Sequence, residues 1–235
     1  MRKLSISLLS ALALIVPGAA FAADMPVKAR PMMTAAPAFS WTGIYVGVNA
    51  GYAWGNTTGT LGTPAPGNYN ISGVLAGGQI GGNYQFANNV VIGIEADYQW
   101  ADIDGSASTA AGVIRTTEVD RFGTVRGRLG YAWDRWLGYV TGGYAFGARV
   151  NETVGPAAFV ASSGTLNGWA AGVGVEYAFA PNWSAKLEYL HVELDQKTFF
   201  TGVGACAVVA LCQRGADIDL VRVGLNYRFG GATWR

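Results

Sequence analysis

Charge is scarce in this chain. Only 13% of its 235 residues are Asp, Glu, Lys or Arg, about half the ~25% usual for soluble domains. The net charge is +1, so nothing suggests a nucleic-acid partner, which would want a basic stripe. Histidine occurs once, as His191, and cysteine twice, as Cys206 and Cys212. A metal site would need further His or Cys ligands near that cysteine pair, and there are none; no cofactor is expected. Long apolar runs are missing too. The apolar core from Leu8 to Val16 (LLSALALIV) falls short of the ~20 residues a membrane helix requires. A low-charge chain without such helices has one route into a bilayer, the closed β-barrel.

What the chain has in plenty is glycine, 34 residues, and aromatic residues, 12%. Its start carries an address. A basic Met1 to Lys3, the short apolar core and the small-x-small pattern Ala20-Phe21-Ala22 predict a secretory signal peptide over residues 1–22. Residues 23–40, rich in Pro and Ala and without periodicity, read as a flexible periplasmic linker. In an exported protein, two cysteines so close together argue for a local disulfide between Cys206 and Cys212, stabilising by roughly 2 kcal/mol in the chain-entropy treatment.

From residue 41 a period of two begins and recurs. In VVIGIEADYQW (90–100), Val90, Ile92, Ile94, Ala96, Tyr98 and Trp100 share one face, while Val91, Gly93, Glu95, Asp97 and Gln99 share the other. Successive side chains of a strand point to opposite faces, so one face is greasy and the other small, polar and charged. The same split recurs in GIYVGVNAGYAW, VLAGGQIGGNYQF, VDRFGTVRGRLGY, NGWAAGVGVEYAF, the stretch from Trp183 to Tyr189, and LVRVGLNYRF. In VDRFGTVRGRLGY, Val119, Val125, Leu129 and Tyr131 are assigned to the greasy face. A further strand over Trp136 to Ala148 alternates poorly, and its faces stay unassigned. That makes eight strands.

Tight turns are expected at 87–89, 133–135 and 180–182, and long loops near 55–73, 103–118, 151–165 and 195–217. Short turns on one side and long loops on the other are the pattern of an outer-membrane barrel. Aromatic residues gather near both strand ends, as at two water–lipid interfaces. The opposite packing, grease inward, would make a soluble ligand carrier; its solvent face would then be glycine, which covers a protein poorly. Glycine instead suits the inside of a narrow barrel. The predicted fold is therefore all-β: an eight-stranded antiparallel transmembrane β-barrel over 41–229, with short periplasmic turns, four long extracellular loops, and a tail at 230–235.

That orientation points Glu95, Asp97, Glu176 and Glu188 inward with Arg126, Arg128, Lys186, Arg222 and Arg228. Such a bore is just wide enough for side chains to fill, and buried ions must be paired. The expectation is an ion-pair network plugging the lumen: Glu95 and Asp97 with Arg126 and Arg128, and Glu188 with Arg222 or Arg228. The alternative is a narrow channel for small solutes. Paired carboxylates for glycoside chemistry would need substrate access that this bore denies. His191 has Glu193 at the right parity but no serine beside it, so no catalytic triad is expected. The clusters GGQIGG and GVGVE lack the following helix of a phosphate cradle.

Five stretches carry a resemblance: FSWTGIYVGVNAGYAWG (39–55), GGQIGGNYQF (77–86), GIEADYQW (93–100), TVRGRLGYAWDRWLGYVTGGYAFG (124–147) and VGLNYRF (223–229). They resemble the small outer-membrane barrels of α-proteobacteria, related to the transmembrane domain of the outer-membrane protein A type and often labelled immunogenic or porin-family proteins. The resemblance implies a structural and surface-antigen role in the outer membrane, or else a channel, or haemin or other ligand binding through the loops. It also implies a signal for the barrel-insertion machinery in Gly224, Tyr227 and Phe229, and no enzyme activity. Expected partners are outer-membrane lipids, that machinery and an extracellular partner met through the loops.

Overall fold

A chain whose side chains alternate between two solvents over successive segments can satisfy its backbone in a bilayer only by pairing those segments into a ring. The computed structural model describes residues 39–58, 69–108, 114–154, 160–198 and 213–229, and they do this. The strands are β1 (Gly43–Thr58), β2 (Asn70–Gln85), β3 (Val90–Ser108), β4 (Ile114–Trp133), β5 (Trp136–Val154), β6 (Val160–Ala178), β7 (Trp183–Thr198) and β8 (Gln213–Phe229). Each pairs antiparallel with the next, and β8 pairs with β1 to close the barrel.

The described turns, β2–β3, β4–β5 and β6–β7, lie at one end, called here the turn end. Asn89 (φ 66°) and Asp134 (φ 53°) take left-handed conformations in two of them, which their short polar side chains tolerate. Signal peptide, tail, Cys206 and Cys212 lie outside the described residues, as do 23–38 of the linker.

At the far end the strands run further than the periodicity of apolar outward residues suggests. Parts of all four expected loops are strand: β3 continues to Ser108, β4 begins at Ile114 and β8 at Gln213. The alternation persists there with its polarity reversed. In β7, Trp183, Leu187 and Tyr189 face outward and Ser184, Lys186 and Glu188 inward; beyond them Leu190, Val192 and Leu194 turn inward while Glu193 and Asp195 are exposed. β8 behaves alike, with Ala216, Ile218 and Leu220 buried.

Irregular pairing accompanies this reversal in β4 and β5. The register shifts between Val119 and Gly123 in the β4–β5 ladder and between Ala145 and Ala148 in the β5–β6 ladder, and an unmatched residue moves all that follows to the other face. Val119 is therefore only 1% exposed, inside the barrel and not on the greasy outer face to which uninterrupted parity assigns it. The same shift explains why β5 defies a single parity. Leu137, Tyr139, Thr141 and Ala145 point inward before it, Ala148 and Val150 after it, with Gly147 at φ 70° between.

Candidate functional site

The interior is built in three levels. At the turn end, Trp41 (0% exposed) packs with Val91, Ala132, Leu137, Tyr139 and Ala178. Its backbone N–H donates to Gln85 Oε1 at 2.7 Å, and its indole N–H to the Asp134 carbonyl at 3.3 Å. Trp41 thus stoppers the bore from the residues just before β1.

The middle level is ionic. Arg126 reaches Glu95 and Asp97, each at 2.7 Å, and Glu188 at 3.1 Å. Arg222 reaches Glu188 at 2.6 Å and Asp97 at 3.2 Å. Lys186 crosses the lumen from β7 to Glu95 on β3 at 2.8 Å, and Arg128 crosses from β4 to Glu176 on β6 at 2.9 Å. Two of these pairs, Glu95 with Arg126 and Glu188 with Arg222, stand directly opposite in the ladder. Glu176 and Lys186 also stand opposite, yet each bonds elsewhere, because the bore is narrow enough for side chains to meet across it.

Four carboxylates balance four cations, all essentially sealed from solvent. Neutral polar groups complete their shells. Thr124 donates to Asp97 at 2.7 Å, and Ser184 and Asn226 donate to Glu176. The Tyr45 hydroxyl receives a hydrogen bond from Arg128 and gives its own to Glu95, both 2.7 Å; the Tyr139 hydroxyl donates to Glu188 at 2.7 Å. The Arg128 guanidinium carbon lies 3.8 Å from the Tyr139 ring centre, within cation–π range. Both rings lie across a glycine of the neighbouring strand, Gly81 for Tyr45 and Gly174 for Tyr139, where a Cβ would overlap the ring. Bulk is rationed at these two glycines so that the tyrosines can lie flat.

Arg228 departs from the expected network. It makes no ion pair among the described residues; it donates to the Ser40 carbonyl at 3.0 Å and lies 4.4 Å from the Trp41 ring centre. Its place near the end of β8, beside the turn, puts it under the stopper instead of in the ionic level, and the level is neutral without it.

The third level, toward the far end, is apolar: Ile71, Leu75, Ile103, Val119, Phe122, Leu166, Leu190, Val192 and Leu220 among others. Sequence reasoning located the ionic residues but missed this level, and also Tyr45, Tyr139 and Trp41. Tyr45 carried a usable signal, an aromatic at an inward parity. Tyr139 sat in the strand whose faces parity could not assign.

Of the remaining candidates, Tyr227 and Phe229 are ring neighbours (5.0 Å) on the outer face of β8 at the turn end, and Gly224 faces inward beside the Lys186 stem. His191 Nδ1 lies 2.8 Å from Asp219 Oδ1 on the outer face, and the Tyr189 hydroxyl donates to the same oxygen. Among the described residues, no group of His, Cys, Asp and Glu could hold a metal ion.

The chain was compared with known proteins. Residues 8–229 match the sequence family described as Outer membrane protein beta-barrel domain. The 31 kDa outer-membrane immunogenic protein of Brucella melitensis is 38% identical over 242 aligned positions, covering 94% of this chain and 98% of that protein. The 25 kDa outer-membrane immunogenic protein of Brucella canis is 30% identical, covering 96% and 98%. The 22 kDa outer membrane protein of Rhizobium leguminosarum is 29% identical, covering 88% and 83%. Among solved structures, Neisserial surface protein A is 15% identical with a TM-score of 0.45, covering 80% of this chain and 98% of that one. A greasy exterior wound around an ion-paired interior agrees with the sequence matches, and the chain belongs to the outer-membrane β-barrel family whose members include the Brucella immunogenic proteins.

Proposed function

We propose that this protein is a sealed structural barrel of the outer membrane that displays its far-end connections as a surface antigen, with no catalytic role and no channel. The observation supporting this reading most directly is the neutral ion-pair level closed off by Trp41 on one side and an apolar core on the other. A permeating solute would have to break several buried ion pairs at once, and uncovering even one buried charge costs about 3–5 kcal/mol. The relatives named as immunogenic, covering nearly the whole chain, support the display role. Outer-membrane lipids are the partners of the greasy wall, and the barrel-insertion machinery is the partner met in assembly.

Planar-bilayer recording tests the reading. The purified protein, verified as folded by heat-modifiable migration, should give no steady, reproducible conductance. Reproducible channels that Arg126→Ala enlarges or abolishes would replace the sealed barrel with a narrow pore.

A further inference from the structure

Among the described side chains, most of the outward-facing charge in the far half of the barrel is acidic: Asp102, Asp104, Glu118, Glu193 and Asp195 are exposed there. One notch breaks this pattern. Arg121 on β4 and Arg149 on β5 stand directly opposite each other in the ladder. With Tyr98, Gly147, Gly164 and Thr165 they line a cavity of about 430 Å³ on the barrel's outer wall. The unmatched residues in β4 and β5 turn both arginines outward, and Gly147, where a Cβ would meet nothing within 4 Å, leaves the space between them open.

Neither guanidinium has an ion-pair or hydrogen-bond partner among the described residues. Like charges directly opposite on one face of a ladder repel, so this arrangement lacks a counter-charge. Depth restricts what can supply it. Arg121 pairs in the ladder with Trp100, which is 64% exposed, and Tyr98 stacks edge-on against Trp100. Tyr and Trp mark the level where hydrocarbon gives way to headgroups, and Arg on the lipid face is tolerated near that level and not at the midplane. Two guanidiniums forming a fork at headgroup depth suit phosphate oxygens, which arginine binds bidentately.

We infer that Arg121 and Arg149 form a site for the phosphorylated headgroup of an outer-leaflet lipid, with Tyr98 packing against the lipid's sugar or glycerol portion. This rests on the outer-membrane placement of the barrel and deepens the lipid partnership proposed above. The lipid source is favoured over free phosphate because the notch opens sideways, toward the bilayer, beside the aromatic girdle.

The test is native mass spectrometry of the delipidated, folded protein in mild detergent. It is titrated with lipid A bearing both phosphates, with its dephosphorylated form, and with the phosphorylated form in competition with inorganic phosphate. The phosphorylated lipid should bind at least tenfold more tightly than the dephosphorylated one. Arg121→Gln with Arg149→Gln together should abolish that preference, and Arg149→Gln alone should weaken it severalfold should the double variant fail to fold. Asp104→Asn, outside the notch, should leave binding unchanged. Equal binding of both lipids, or undiminished preference in the folded glutamine variants, would overturn the site. Displacement by inorganic phosphate at the lipid's own concentration would overturn the lipid as its ligand. A folded, non-conducting variant that still retains the phosphorylated lipid would refute the notch and leave the sealed barrel standing.

Discussion

The two halves of this barrel solve the same packing problem with opposite chemistry. Toward the turn end, apolar side chains such as Ile44, Ile94 and Val223 face out, and the inside holds four carboxylates and five cations, Arg228 among them. Toward the far end, Leu190, Ile103 and Phe122 fill the inside and carboxylates face out. The strands are long enough to need both. β4 has 20 residues, at about 3.4 Å each and a tilt of ~40° roughly 50 Å along the axis, against a lipid-facing band of ~25 Å. Half of the barrel therefore stands in water and is built like a soluble protein, while the half in lipid is turned inside out. The backbone is continuous across the boundary. Only the solvent outside changes, and the residues report it.

The sharpest way to break this comparison is to remove one charge from the ionic level. Arg126→Ala strips a partner from Glu95, Asp97 and Glu188 together, and should cost about 3–5 kcal/mol, measured by urea unfolding from lipid vesicles. Next comes a cavity in the other half: Leu190→Ala should cost about 3 kcal/mol by the same measurement. An Arg126→Ala loss no larger than that of a surface substitution would mean the ionic level is not what holds the lipid-embedded half together.

The exteriors can be compared directly. Ile94→Arg should cost about 2 kcal/mol and Asp104→Arg less than about 1 kcal/mol, because the first lies against hydrocarbon and the second against water. Equal costs would erase the proposed boundary. The smallest expected effect is Gly147→Ala, about 1 kcal/mol, since its left-handed backbone is strained for alanine.

The ionic half was readable from single stretches of sequence. Parity alone puts Glu95 and Asp97 on one face of VVIGIEADYQW, and narrowness alone demands that they be paired. Three things were not readable, each for a physical reason. Partners across the lumen, such as Lys186 with Glu95, depend on the width of the closed ring, which local alternation does not encode. The faces of β5 and of Val119 depend on unmatched residues whose position only the paired strand reveals. Much of the far half reads as loop when strands are sought by outward grease, because water outside reverses that sign. YLHVELD in β7 and ADIDL in β8 alternate as regularly as any lipid-facing stretch, with the opposite polarity. The resemblance reached the family, but its stretches mostly fall within the lipid-facing half and so did not correct this.

The far half also has a use of its own. Because its apolar core draws on all eight strands, it forms a pedestal that carries the strand ends clear of the aromatic girdle. A peptide segment inserted between Ser108 and Ile114 would be carried on that pedestal without disturbing the part of the molecule that lipid holds.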